Sequence, residues 1–139
     1  MIQAVERTQP QRLLHLGDLL SDAEELRHVF PDLPLTGVPG NCDGWTGAME
    51  ERLLTLEGHR LLLGHGHQWG VKSSPAGACR AARMEGAKLV LFGHTHTPLC
   101  RREEDGLWVV NPGSVRDTGS YALLQLEQGR DPRCTLHTL

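Results

Sequence analysis

Two glycine-histidine tetrapeptides constrain this chain more than any other feature: Gly64-His65-Gly66-His67 and Gly93-His94-Thr95-His96. Each follows a short apolar run, Leu61-Leu62-Leu63 and Leu89-Val90-Leu91-Phe92, with the proportions of a buried strand. Four of the eight histidines therefore fall where strands end and loops begin, which is where α/β proteins usually build their sites. Neutral imidazole is a common metal ligand, and glycine lets the backbone bend so that neighbouring rings aim at one point. One such turn would read as a polar surface loop. Two of them, beside acidic and amide-bearing strand ends, read as a site.

The rest of the chain supplies those strand ends. Met1 to Thr8 reads as the tail of a helix, stopped by Pro10. Arg12 to Leu16 reads as a strand ending at Gly17-Asp18, and Ser21-Asp22-Ala23-Glu24 as a capping box opening a helix to about Phe30. Leu33 to Val38 is a strand leading into the turn Pro39-Gly40-Asn41-Cys42-Asp43-Gly44. A hairpin pairs Glu51–Leu56 with Arg60–Leu63 across Glu57-Gly58. Pro75 to Gly86 is a small-residue helix, with Ala76, Cys79, Ala82 and Ala87 able to pack closely on a sheet, and Lys88 to Phe92 is a strand. Pro98–Arg102 and Leu107–Val110 flank an Asp105-Gly106 hairpin turn, and Tyr121–Leu126 with Cys134–Leu139 forms a final hairpin. An α/β beginning followed by antiparallel β predicts a layered β-sandwich flanked by helices, an αββα arrangement in one domain over residues 1–139.

Composition narrows the classes. With 139 residues, 39% of them hydrophobic and 22% charged, the chain suits one globular domain rather than a disordered segment. No apolar run approaches the roughly 18 residues that span a bilayer, and Met1 to Pro10 has no hydrophobic signal core, so a cytoplasmic location is expected. Cys42, Cys79, Cys100 and Cys134 are scattered without a CxxC pair, which fits reduced thiols. Net charge is −3 and the basic residues form no block, so a strong nucleic-acid footprint is missing.

Asp18 and Asn41 end two of the strands, so carboxylate, carboxamide and imidazole recur at successive strand ends. Such a mixed oxygen and nitrogen set suits Mn²⁺, Fe, Zn²⁺, Ni²⁺ or Co²⁺ better than Ca²⁺, which prefers all-oxygen cages. Taken singly, Gly-Asp and Gly-Asn are ordinary turn pairs; it is their joint occurrence in this order that points to a site.

The series Gly17-Asp18, Gly40-Asn41-Cys42-Asp43, Gly64-His65-Gly66-His67, Gly93-His94-Thr95-His96 and Asn111-Pro112-Gly113-Ser114 resembles the calcineurin-like metallophosphoesterases, in particular their small YfcE-like phosphodiesterase branch. The resemblance implies a β-sandwich between helices and two divalent transition metals, manganese first, with nickel, cobalt, iron or zinc as alternatives. It implies that Asp18 bridges the metals, that Asn41, His65 and His94 complete one metal site, and that His96 binds the other. Asn41 and His67 become the catalytic candidates, with His67 either helping to protonate a leaving group or only hydrogen-bonding a phosphate. Asn111-Pro112-Gly113-Ser114 is implied as a closing loop, an ordinary Pro-Gly turn being the alternative. Direct attack of a metal-bridging hydroxide on a small phosphorylated substrate, a phosphodiester, is the implied reaction.

Two departures qualify the resemblance. The family opens with Asp-x-His on its first strand, and none occurs before Asp18; a βαβ unit takes roughly 30 residues, and 17 precede Asp18 here. The expectation is an N-terminally truncated domain with an open edge at the strand Arg12–Leu16, and hence a homodimer or a catalytically impaired fragment. Cys42 stands where many relatives place a proton-donating histidine, and a neutral thiol is a poor general acid at neutral pH. A Vps29-type subunit, which uses this fold as a protein-binding scaffold, is the alternative; it alters the acid and the amide that this chain keeps as Asp18 and Asn41.

Overall fold

The computed structural model describes residues 1–17, 20–38, 51–115 and 117–139. In chain order the elements are α1 (Ile2–Thr8), β1 (Leu13–His15), α2 (Leu20–Val29), β2 (Leu35–Gly37), β3 (Glu51–Leu56) and β4 (His59–Gly64). A 3-10 helix (His67–Trp69), α3 (Ala76–Met84), β5 (Leu89–Leu91), β6 (Leu99–Arg102), β7 (Trp108–Asn111), β8 (Ser120–Gln125) and β9 (Arg133–Thr138) follow. The three predicted hairpins are all present with antiparallel pairing. The helix over the 20s starts at Leu20, slightly ahead of the Ser21 capping pattern, a shift within the usual spread of helix ends. The first two strands are three residues each, shorter than expected.

The centre is a five-stranded sheet in the order β3-β4-β5-β7-β6. Its middle strands β4, β5 and β7 run parallel, aligning Leu63 with Leu91 and Leu91 with Val110. Side chains alternate across a strand, so each of these runs feeds both faces, which is why they are apolar throughout. Leu62, Val90 and Val109 meet Ala78, Cys79 and Ala82 of α3 on one face. Leu61, Leu63, Leu89, Leu91 and Val110 occupy the other. Ala78, with Cys79 and Ala82, is a buried small residue of α3, whereas Ala76 opens the helix, about 200° around it from Ala78, and is exposed.

The second face is covered by two separate two-stranded sheets. One is the parallel pair β1-β2 and the other the antiparallel pair β8-β9. Leu14 and Leu16 from the first, and Ala122, Leu124 and Cys134 from the second, pack on that face and are partly buried. The predicted sandwich is therefore present, with its second layer in two pieces among the described residues. Helix α2 backs β2, where Ala23 and Leu26 are buried. Among the described residues no helix is long and apolar enough to cross a membrane.

Candidate metal centre

Three neighbouring parallel strands deliver the site. Strand β4 ends in the first histidine loop, β5 in the second, and β7 in Asn111-Pro112-Gly113-Ser114. All three loops leave from carboxyl ends, so the interior of the sheet fixes their spacing.

The first loop folds back at once. Gly66 has φ +112°, a region that favours glycine, and the N–H of Trp69 donates to its carbonyl at 2.9 Å. The Trp69 indole lies over Gly64, where a Cβ would strike the ring, and its Nε1–H donates to Glu51 Oε1 at 2.8 Å. Both glycines of Gly-His-Gly-His are thus required, one by backbone conformation and one by the ring above it. In the second loop His94 and His96 have φ +65° and +57°, two of the four described non-glycine residues with positive φ. Left-handed backbone at a site persists where the surroundings over-determine it. Here the surroundings are visible: Gly93 N–H donates to the His65 carbonyl at 2.9 Å, and Asn111 reaches in from β7. Asn111 is 1% exposed; its Nδ2 donates to the Gly93 carbonyl at 3.1 Å and to Thr95 Oγ1 at 2.8 Å. Its Oδ1 accepts from Gly113 N–H at 2.9 Å.

The rings of His65, His67 and His94 form a triangle with centroids 5.4, 5.0 and 6.1 Å apart. His65 Nδ1 lies 2.9 Å from the Leu16 carbonyl, which can only accept, so Nδ1 carries the proton and Nε2 the lone pair. That Nε2 lies 3.2 Å from His94 Nδ1. Two nitrogens so spaced, each about 2.1 Å from a shared ion, would subtend about 100°, between octahedral and tetrahedral values. His65 is 1% exposed, and His67 Nδ1 is buried with no hydrogen-bond partner among the described residues. These features fit a divalent metal on the His65–His94 pair. Among the described residues no three such side chains surround one point. The oxygen ligands expected from the sequence, Asp18 and Asn41, lie outside the described residues, as does Cys42.

The calcineurin-like phosphoesterase superfamily domain matches residues 1–129. The chain belongs to this superfamily. Its relatives include the probable metallophosphoesterase YsnB of Bacillus subtilis, 36% identical over 124 residues, covering 83% of this chain and 68% of YsnB. The phosphodiesterase YfcE of Escherichia coli K12 is 30% identical over 115 residues, 73% of this chain and 57% of YfcE. The chain thus spans about two-thirds of one relative and little more than half of the other. In fold it is similar to Entamoeba histolytica Vps29 complexed with zinc, with a TM-score of 0.79, 18% identity, and coverage of 99% and 89% of the two chains.

Of the calcineurin-like motifs, the structure brings His65, His67 and His94 together and draws the strand end before Gly17 to them through the Leu16 carbonyl. His96 departs from that cluster: its Nδ1 lies 2.6 Å from Asp117 Oδ2. Asn111-Pro112-Gly113-Ser114 is a brace rather than an ordinary turn, because Asn111 ties it to the second histidine loop. Sequence reasoning missed the Leu16 carbonyl and Asp117. A main-chain acceptor has no signature in residue types, and Asp117 stands in a polar loop like many others.

Proposed function

We propose that the protein is a metal-dependent phosphodiesterase acting on small substrates by direct hydrolysis. The observation that carries this reading is the 3.2 Å approach of His65 Nε2 and His94 Nδ1, with the tautomer of His65 set by the Leu16 carbonyl. A bound divalent ion would lower the pKa of water and neutralise charge on the phosphoryl oxygens. His65 and His94 would hold that ion, completed by Asp18 and Asn41. His67 stands beside both rings and would donate to a phosphoryl oxygen or a leaving group. Asn111 holds the second loop in its left-handed conformation. No residue here suggests a covalent phospho-enzyme. With a thiol rather than imidazole at Cys42, substrates with good leaving groups would be favoured.

The test is metal content and hydrolysis of bis(p-nitrophenyl) phosphate after chelation and reloading with Mn²⁺, Ni²⁺, Co²⁺ or Zn²⁺. The expected result is metal-dependent turnover, with His94→Ala losing bound metal and His28→Ala and His137→Ala keeping it. Equal metal loss in all three variants would overturn the assignment. A protein-binding scaffold is the second reading, favoured by the likeness in fold to Vps29. A chain that retains no metal and shows no turnover would support that reading instead.

A further inference from the structure

The contact between His96 and Asp117 crosses 21 residues of chain and joins the second histidine loop to the segment after Asn111-Pro112-Gly113-Ser114. The backbone carrying the carboxylate is tied down. Asp117 N–H donates to Ser114 Oγ at 3.1 Å, Thr118 N–H to the Ser114 carbonyl at 2.8 Å, and Gly119 N–H to the Val115 carbonyl at 3.1 Å. Thr118 Oγ1 closes the turn from the other side, accepting from Ser114 N–H at 3.2 Å. These bonds tie the backbone of Asp117 to Ser114, three residues after the buried Asn111.

Hydrogen-bond chemistry then sets the ring. An ionised carboxylate only accepts, so Nδ1 of His96 donates and the lone pair resides on Nε2. His94, two residues earlier, turns its own Nδ1 toward His65. Each imidazole of the tetrapeptide thus has its Nδ1 against a different neighbour, His65 for His94 and Asp117 for His96. Metal-binding histidines commonly donate their second N–H to a carboxylate, which fixes the tautomer and raises the basicity of the ligating nitrogen. We propose that Asp117 is a positioning residue of this kind, holding His96 with Nε2 as the ligating atom for a divalent ion. The inference rests on the metal-centre reading above and adds to it a residue that no motif marks. A hydrogen bond whose side chains are 33% and 54% exposed contributes little to folding, so its purpose is not explained by stability.

Two readouts test this. In the metal-free protein at pH 8, long-range proton–nitrogen correlation of ¹⁵N-histidine should show His96 as the Nδ1–H tautomer. Asp117→Ala should shift it toward Nε2–H, while the thermal unfolding midpoint stays in place. In a Co²⁺ titration followed by visible absorption, the binding step that His96→Ala removes should weaken about 10- to 100-fold in Asp117→Ala, and by less in Asp117→Asn, which keeps an acceptor oxygen. An Nε2–H tautomer in the parent protein, or parent-like Co²⁺ affinity in Asp117→Ala, overturns the inference. Absence of Co²⁺ binding by the parent protein overturns the metal-centre reading itself.

Discussion

Replacing Asn111 by aspartate probes how the two site loops are held. The change keeps the shape but removes the amide donors that reach the Gly93 carbonyl at 3.1 Å and Thr95 Oγ1 at 2.8 Å. The position is 1% exposed, so a carboxylate there faces both burial and a carbonyl oxygen. Both favour the protonated form and raise its pKa above the unfolded value of about 3.9. A group whose folded pKa is raised gives stability that is present below the unfolded pKa and lost as pH rises toward the folded one. Near pH 4 the Asn111→Asp variant, with its new carboxyl protonated, keeps one donor and one acceptor, and should lose about 1–2 kcal/mol for the missing bond. Above that the deficit should grow by about 1.4 kcal/mol per pH unit until the raised folded pKa is passed. Asn111→Ala should instead lose about 3 kcal/mol, almost independent of pH. The assay is urea unfolding of chelated protein at several pH values, each variant compared with the parent at the same pH. A pH-independent deficit for Asn111→Asp would refute the role given to the amide donors.

Gly77→Ala should destabilise by about 1–3 kcal/mol although alanine favours helices by about 1 kcal/mol, because its Cβ would strike the Trp69 carbonyl oxygen. Urea unfolding followed by tryptophan fluorescence checks this, and a more stable variant would contradict the packing described. Burial, then the nearby Glu103, raises the Cys79 thiol; burial, then Cys100, raises Cys134. Their stabilising effect is complete below about pH 8.5, the unfolded value, and falls as pH rises toward the folded ones. The urea midpoint should therefore decline from pH 8 to pH 10, and the Cys79→Ala, Cys134→Ala double variant should decline less steeply.

What could be read in advance depended on how local the cause was. The hairpins over residues 51–64, 99–111 and 120–138 were legible because turn residues and alternation lie within each segment. The histidine loops were legible because glycine and histidine follow apolar strands at short range. The division of the second layer into two small sheets was not, since it depends on which strands find partners across the chain. Ala76 and Ala78 could not be ranked without knowing where α3 begins. Asp117 was invisible for the same reason: its partner is 21 residues away, and nothing in Val115-Arg116-Asp117-Thr118 differs from a solvated loop.

The parallel run of β4, β5 and β7 gives the molecule two unlike poles. Among the described residues, both histidine loops and Asn111-Pro112-Gly113-Ser114 leave from one of them, and Gly119, whose carbonyl accepts from the N–H of Leu139, lies on the same side. The opposite pole holds the Glu57-Gly58 turn, the Gly86-Ala87 connection, the Asp105-Gly106 turn and the bend near Glu127, whose carbonyl meets His59 Nε2 at 2.9 Å. Extra chain at that pole lies a full strand length from His65 and His94. A fluorescent label or inserted epitope at Gly58 or Gly106 would therefore report on the protein, or tether it to a surface, away from His65 and His94, whereas one residue added between Leu91 and Gly93 would rotate His94 away from His65.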